Sequence, residues 1–574
     1  YNVAVGYAAG LAITTGTNNV FIGGYAGDSQ QTASSSIGIG YRALSGVVTG
    51  ANNIALGEDA GIAITSGVNN IILGTAAGDN LTTGSYNIAI GQGALSAEDG
   101  NGRNVAIGQS ALAVQNAGAD AYNVAVGYNA GTAMSTGIRN VIVGGTAGDA
   151  LTTGTDNTSL GHSALGAEDT GSKNTAIGSY ALASLDYNGD GHNTAVGFNA
   201  LYANTTGLYN TAVGNRALLC NVGGLDNSAF GYLALCANTT ASYNTASGPY
   251  ALRANTTGDH NAAFGITALA ANTVGDCNTG LGARALRSNT TGIFNTSVGA
   301  CSLYHNTTGN RLTAVGYKAL FCNTTGIYNT ASGYAALACN TTGSENTAVG
   351  NVSLNVNTTG ACNTAVGYGS LQMNTGACYN VAIGYRALRC NTTGSNNTAV
   401  GTQASYSNTT GTQNTAVGKN AMYQNTTGKH NSSSGYFALR YNTSGSCNTA
   451  FGLNSLRDNT IGCRNVSIGY ESMRENTTGN YNTAVGFQTL LSNTTGRCNV
   501  AVGGTSLWYN TTGVRNTAIG VRTLHYNTGG SYNTASGYAT LTNNTTGHAN
   551  AAHGHASLYS NTTGCYNTAT GACA

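Results

Sequence analysis

The sequence predicts an all-β fold, a parallel β-solenoid (a β-roll) of about 34 coils. Three observations predict it: a glycine that returns every 17 residues, an asparagine that keeps step with it, and strand-forming Thr, Val and Ile between the two. The glycine stands at Gly6, Gly23, Gly40, Gly57, Gly74, Gly91 and Gly108, then 19 residues on at Gly127, at 17-residue steps to Gly178, 19 on again at Gly197, and at 17-residue steps to Gly571. Seventeen residues are too few for two helices and a turn, whereas Gly, Asn, Thr and Val favour short strands and tight turns. From Asn329 to Asn346 one unit reads NTASGYAALACNTTGSEN, close to the consensus NTAVGxxALxxNTTGxx. At about 4.8 Å per coil, such a stack predicts a rod on the order of 160 Å long.

Within the coil, the Thr-Ala-Val string before the reference glycine reads as a strand whose side chains alternate between two faces. The residue just before the glycine is Val, Ile, Leu or Phe in 28 of 34 coils, the exceptions being Ser247, Ser332, Ser434, Ser536, His553 and Thr570, so this position is expected to face inward. The intervening residue is usually Ala, Ser or Gly, which predicts a close neighbour on the other face, such as a second subunit of a trimer. Four residues before the glycine stands Asn in 32 of 34 coils, with Ser36 and Leu312 departing. Stacked amides form a hydrogen-bonded ladder that satisfies turn backbone groups, so this column is read as structural.

A second asparagine recurs seven residues after the glycine in all 22 coils from Asn204 to Asn561. In 17 of them it opens an N-x-S/T acceptor: Asn204, Asn238, Asn255, Asn289, Asn306, Asn323, Asn340, Asn357, Asn391, Asn408, Asn425, Asn442, Asn476, Asn493, Asn510, Asn544 and Asn561. These sequons raise the prospect of a sugar-coated rod. The amide persists where the sequon is broken, at Asn221, Asn272, Asn374, Asn459 and Asn527, so a second internal ladder is the stronger reading. In earlier coils the same offset holds Ile13, Ile64, Leu81, Met134 and Leu151, and there Gly replaces the usual Leu three residues before. The two positions are expected to trade the job of filling the coil.

The chain divides into an irregular, cysteine-free section, 1–192, and a uniform section, 193–574, that holds all 14 cysteines, with no linker between them. Cys220 with Cys236, Cys322 with Cys339, Cys362 with Cys378, and Cys447 with Cys463 fall on neighbouring coils, near enough for disulfides in an oxidising compartment. No C-x-x-C zinc spacing occurs. The second two-residue insertion contains Asp186, Asn188 and Asp190 in the alternation that opens a calcium loop, but Gly197 stands where the bidentate Glu belongs. A plain turn is the favoured reading, with calcium its alternative and no other cofactor expected.

Composition removes other classes. Of 574 residues only 7% are charged and one is proline, Pro249, against 84 glycines, so any core is distributed along the chain. Lys plus Arg (21) balances Asp plus Glu (20), which leaves no basic surface for nucleic acid. No apolar run approaches the roughly 18 residues of a membrane helix. The first residue lies inside a repeat, which reads as an excerpt of something longer. No nucleophile, base or paired carboxylate recurs, so no enzyme is expected. Of nine histidines only His548, His553 and His555 cluster. Tyrosine, with 33 copies, is the abundant large side chain, placed to cover the coil's corners or to form exposed stacks.

The strings NVAIG and NTAVG followed by a small-residue turn resemble the head repeats of trimeric autotransporter adhesins, and the whole NTAVGxxALxxNTTG unit resembles repeats of bacterial and phage tail-fibre-type proteins. The resemblance covers nearly the whole chain. It implies a parallel β-roll, commonly trimeric, displayed on a cell or virion for attachment to a cell-surface or carbohydrate ligand. The longer coil and the Asn-Thr-Thr turn depart from the adhesin heads. Two further readings are a self-assembling secreted filament, a homopolymer joined end to end, and an ice-binding solenoid prompted by the Thr pairs. The ice reading is the weaker, since adjacent Thr in an extended strand face opposite sides.

Overall fold

Stacking in register is what a 17-residue repeat allows, and the computed structural model, which describes residues 1–46 and 49–574, has it within each of two compact units. Among the described residues thirty-four strands of three residues run in chain order from β1 (Val3–Val5) to β34 (Thr568–Thr570). Within each unit successive strands pair in parallel at equivalent positions, as Thr347↔Thr364 and Ala348↔Ala365 illustrate. The first unit, Tyr1–Thr291, holds β1 to β17 (Thr279–Leu281); the second, Gly292–Ala574, holds β18 (Thr296–Val298) to β34. The change of repeat style near residue 192 lies inside the first unit, where Thr175↔Thr194 and Thr194↔Thr211 pair without a break. Both 19-residue coils keep strand register, Val105 pairing with Val124 and Thr175 with Thr194, so the two extra residues are absorbed in turns.

The coil that begins at Gly333 shows what lies inside. Ala336, Leu337, Asn340, Asn346 and Ala348 are fully buried, whereas Thr347 is half-buried and Val349 exposed. The strand therefore turns its central Ala inward and its Thr and Val outward, the reverse of the orientation the sequence suggests. Size decides it. The interior of a 17-residue coil is so narrow that Ala fills the strand's share, and larger residues enter only where room is made. Phe21, Ile72 and Ile142 occupy the Ala position, and each is matched in its own coil by Gly in place of Leu. A Cβ on Gly27 would stand 2.6 Å from the Phe21 ring, and one on Gly78 would stand 3.2 Å from Ile72 Cδ1. The expected exchange between this Leu position and the apolar residue three further on is also present, with Ile64, Leu81, Met134 and Leu151 all buried. Close packing at nearly fixed volume explains both trades.

Both asparagine columns are internal ladders. Asn346 donates its backbone N–H to Asn329 Oδ1 at 2.9 Å, and its Nδ2 to Gly360 O at 2.8 Å. In the second column, Asn340 Nδ2 donates to Asn323 Oδ1 and to Gly343 O, both at 2.8 Å, while Asn340 Oδ1 accepts from Asn357 Nδ2 at 2.8 Å. Each amide thus bonds to the coil beside it and closes the turn of a coil. Leu312 interrupts the first column: its backbone N–H still reaches Asn295 Oδ1 at 3.0 Å, but it offers no Oδ1 to the next rung, where Asn329 keeps its Nδ2 bond to Gly343 O at 2.7 Å.

The backbone bends tightly to make this coil. Ala335, Leu337 and Glu345 adopt positive φ of 49°, 52° and 60°; Ala335 and Glu345 donate their N–H to the previous coil and Leu337 to the following one, at 2.9 to 3.0 Å. Left-handed conformation costs about 1 kcal/mol or more per non-glycine residue, so hydrogen bonding and packing between coils must exceed it. The reference glycine is demanded at closer range: at Gly333, φ is 138° and a Cβ would lie 2.6 Å from Gly350 O.

Truncating one internal amide should expose the strength of a ladder. Asn340→Ala leaves Asn357 Nδ2 and Asn323 Oδ1 each short of a buried partner, and is expected to destabilise the second unit by about 1–3 kcal/mol. Chemical denaturation of the variant against the parent chain measures it, and an unchanged midpoint would show the ladder to be passive.

Candidate functional site

The outward columns carry whatever chemistry the molecule offers its surroundings. On the strand face, β1 to β9 (Val141–Val143) present only Val, Ile or Leu at both outward positions, eighteen aliphatic side chains over nine rungs. Val3, Val5, Ile22, Ile71 and Val141 are exposed and most of the others half-exposed. From β10 (Thr158–Leu160) onward the first outward residue is Thr in 18 of 25 strands and the second mostly Val, Ile, Leu or Phe. No Lys, Arg, Asp or Glu occurs in any of the strands.

Aromatic columns flank this face. After the reference glycine, Tyr317 and Tyr334 stack with centroids 5.6 Å apart, Tyr368 and Tyr385 at 5.5 Å, Tyr470 and Phe487 at 5.4 Å, and Tyr538 and His555 at 5.3 Å. These are exposed stacks, spaced by the rung repeat. A second column lies just before the ladder asparagine, where rings alternate with arginine. The Arg103 guanidinium sits 5.9 Å from the Tyr86 ring and 5.3 Å from the Tyr122 ring. Arg311 sits 5.8 Å from Phe294 and 5.3 Å from Tyr328, and donates to Tyr328 Oη at 2.6 Å.

The sequon asparagines are inward. Sixteen of the seventeen, from Asn204 to Asn544, are fully buried, and Asn561 in the last coil is half-buried. Their Nδ2 atoms, the atoms a glycan would take, are committed to ladder bonds such as Asn391 to Asn374 Oδ1 and Asn544 to Asn527 Oδ1. The folded coil has no room for sugar there, which corrects the prospect of a glycan coat.

Two of the three candidate calcium ligands have side-chain partners, and the third is tied through its backbone. Asp190 pairs with Lys173, Nζ to Oδ2 at 2.5 Å, Asn188 Oδ1 accepts the Thr170 hydroxyl at 2.5 Å, and Asp186 donates its N–H to Thr205 O at 3.1 Å. Among the described residues no three His, Cys, Asp or Glu side chains gather to hold a metal. In this structure the insertion forms a stacked turn.

The cysteine pairs do stand on neighbouring rungs, yet all fourteen cysteines are free thiols in this structure. Cys220 N–H donates to Cys236 O at 3.0 Å, while Cys378 and Cys463 each accept a backbone N–H on sulfur at 3.3 Å. Only Cys322 and Cys339 share a register position, where side chains point in parallel at the rung spacing, about 4.8 Å, against Cβ atoms about 3.5–4.5 Å apart in a disulfide; the other three pairs are 16 residues apart and so one position out of register. Neighbouring rungs alone do not supply that geometry. Burial, and after it the neighbouring Cys220 or Cys339, pushes the thiols of Cys236 and Cys322 up.

Sequence reasoning missed two buried acids. Glu98 and Glu168 occupy the inward position seven residues after the glycine, where other coils place Asn, Gln or an aliphatic residue. Glu168 Oε1 accepts the Gly171 N–H at 2.6 Å, and Oε2 is buried without a partner among the protein atoms. Burial pushes its carboxyl from 4.5 up to about 7; the Gly171 N–H opposes the shift, and Asp169 and Asp186 add to it. Burial likewise raises Glu98, whose Oε1 accepts the Asn101 N–H at 2.9 Å. The available signal was positional, an acid falling in a column otherwise neutral.

No protein-family model matches the chain, and no curated protein matches it.

Because the folded state holds the Glu168 proton more tightly than the unfolded chain does, this group's contribution to stability is complete below about pH 4.5 and is lost as pH rises through about 7. The loss amounts to at most about 3 kcal/mol. Glu168→Gln is expected to flatten the dependence of the first unit's stability on pH between 5 and 8 and to raise stability at pH 8, read by denaturant midpoints across that range. A second measurement concerns the sequons: peptide mapping of the folded chain secreted from a glycosylating host is expected to find Asn340 and its column unmodified.

Proposed function

We propose that this chain is a structural fibre protein of a cell or virion surface, an extracellular, non-catalytic and homo-oligomeric solenoid used for attachment. The observation that carries the reading is the uncharged outward strand face, aliphatic on both columns from β1 to β9. Contiguous apolar patches of this kind mark interaction surfaces. The face of the first unit spans 17 rungs at about 4.8 Å, and its two columns with their side chains cover a width of about 10 Å, giving roughly 800 Å² per copy. Two copies packed face to face would bury about 1,600 Å², the size of a standard specific interface. The neighbour expected from the sequence therefore belongs on the Thr and Val side of the strand, since the Ala side is filled by the coil itself. The resemblance to trimeric adhesin heads and tail-fibre repeats supports the same class.

Placing lysine on the strip tests it. The triple variant Ile37→Lys, Ile71→Lys, Val105→Lys is expected to convert an assembly into single chains in sedimentation velocity, with the β-sheet circular dichroism spectrum unchanged. A parent chain that sediments as a monomer at micromolar concentration sinks the reading.

The Thr column from β10 onward favours one second reading, an ice-binding surface. The argument from adjacent Thr in the Asn-Thr-Thr turn does not apply here, because the strand places Thr and an apolar residue at alternate positions on one face. Absence of thermal hysteresis and ice shaping by the purified chain would exclude it.

A further inference from the structure

In the column before the ladder asparagine two rings flank one residue four times, around Arg103, Asp226, Arg311 and Ala549, and twice the chain completes the arrangement with its own arginine. Tyr86, Arg103 and Tyr122 stand on successive rungs with φ of 62°, 66° and 53°; Phe294, Arg311 and Tyr328 do so with φ of 57°, 55° and 57°. In each case a guanidinium plane lies between two rings, 5.3 to 5.9 Å from both centroids. It also donates to the hydroxyl of the following Tyr, Tyr122 in the first and Tyr328 in the second.

Tyr532, Ala549 and Tyr566 form the last instance. Their φ values are 63°, 54° and 61°, and the rungs are in register, since Ala549 N–H donates to Ser531 O at 3.0 Å and Tyr566 N–H to His548 O at 2.9 Å. Here the central residue is a methyl group. Two rungs separate the rings by roughly 9.6 Å, and between them opens a cleft of about 490 Å³ lined by Gly529, Ser531, Tyr532, His548, Ala549 and Tyr566. Both rings are exposed, Tyr532 at 54%. Arg515 already covers one side of Tyr532, at 5.4 Å, and donates to its Oη at 2.7 Å. The side toward Ala549 remains open.

We propose that the Tyr532–Ala549–Tyr566 cleft is a binding slot for a planar cation, the guanidinium of an arginine side chain on a protein partner. The ligand would stack between the two rings as Arg103 and Arg311 do between theirs, and would donate to Tyr566 Oη as those arginines donate to Tyr122 and Tyr328. Cation–π attraction selects a positive charge, and the ring-to-ring spacing selects a flat one. A lysine ammonium meets only the first requirement, and citrulline, flat but neutral, meets only the second. This inference stands independently of the strand-face interface, because it uses a different column.

The test is saturation-transfer difference NMR on the full chain with N-acetyl-arginine methylamide, and with its lysine and citrulline counterparts, at physiological salt. The arginine probe is expected to receive saturation and to bind at least about threefold more tightly than either counterpart. Ala549→Arg, which supplies the missing guanidinium from within, should abolish the slot's share of the signal. Tyr566→Ala should weaken binding by roughly threefold or more. Arg already occupies the equivalent position at Arg103, Arg311, Arg464 and Arg515, so the Ala549→Arg chain is expected to fold. An arginine signal unchanged in Ala549→Arg, or citrulline binding as well as arginine, overturns the proposal.

Discussion

Everything in this molecule depends on each residue lying beside its own counterpart one coil away. That constraint converts a 17-letter repeat into columns, and a column of one side chain behaves unlike the same residue in isolation. Asparagine is the clearest case: a lone buried amide is costly to satisfy, but in a column each Oδ1 accepts from the next Nδ2 or backbone N–H, and the remaining donor closes a turn, as at Asn340 and Asn346. The strained left-handed residues rest on the same logic, because their N–H groups are satisfied by the neighbouring coil and by nothing within their own.

Stacking also fixes what can be inside. The coil has so little interior volume that three columns, the strand's central residue, the Leu position and the position seven residues after the glycine, share it under a nearly constant total. Ile72 is therefore met by Gly78, and Leu81 replaces an amide in the same coil. Burial in this shared space favours the neutral form of an acid, and Glu168 shows the consequence: a column of amides and alkyl groups shifts the proton equilibrium of the acid placed in it.

Much of this was legible in the sequence. The repeat length gave coil number and parallel pairing, the persistence of Asn at broken sequons identified an internal ladder, and the exchange of Gly78 and Gly148 against Leu81 and Leu151 marked inward positions. Strand orientation was not legible from alternation, since a period of two is satisfied whichever face is inside. The size of Val suggested the interior; the deciding clue was the pairing of Phe21, Ile72 and Ile142 with glycine in the same coil, which only makes sense if the central residue points in. The expected cysteine pairs lie on neighbouring rungs with free thiols in this structure. Stacking sets proximity, while the convergence of Cβ vectors that a bridge requires is a separate condition that a repeat length does not reveal.

Interior and exterior are consequently decoupled. The inward columns must match from coil to coil, whereas an outward residue contacts little beyond its two column neighbours and can change without disturbing register. Hence Arg, Tyr, His, Asp, Cys and Ala all occupy the position before the ladder asparagine with nearly the same positive φ. Such a scaffold can lay down a chosen sequence of surface groups at a spacing of about 4.8 Å. The strand face and the ring column use this freedom in opposite ways. Aliphatic residues repeated over nine rungs create area, which suits contact with another extended surface. A single Ala549 between two tyrosines creates a gap, which suits one inserted group. Recognition by such a fold resides in the order of residues within a column, where a change of one residue alters the surface and leaves the coil intact.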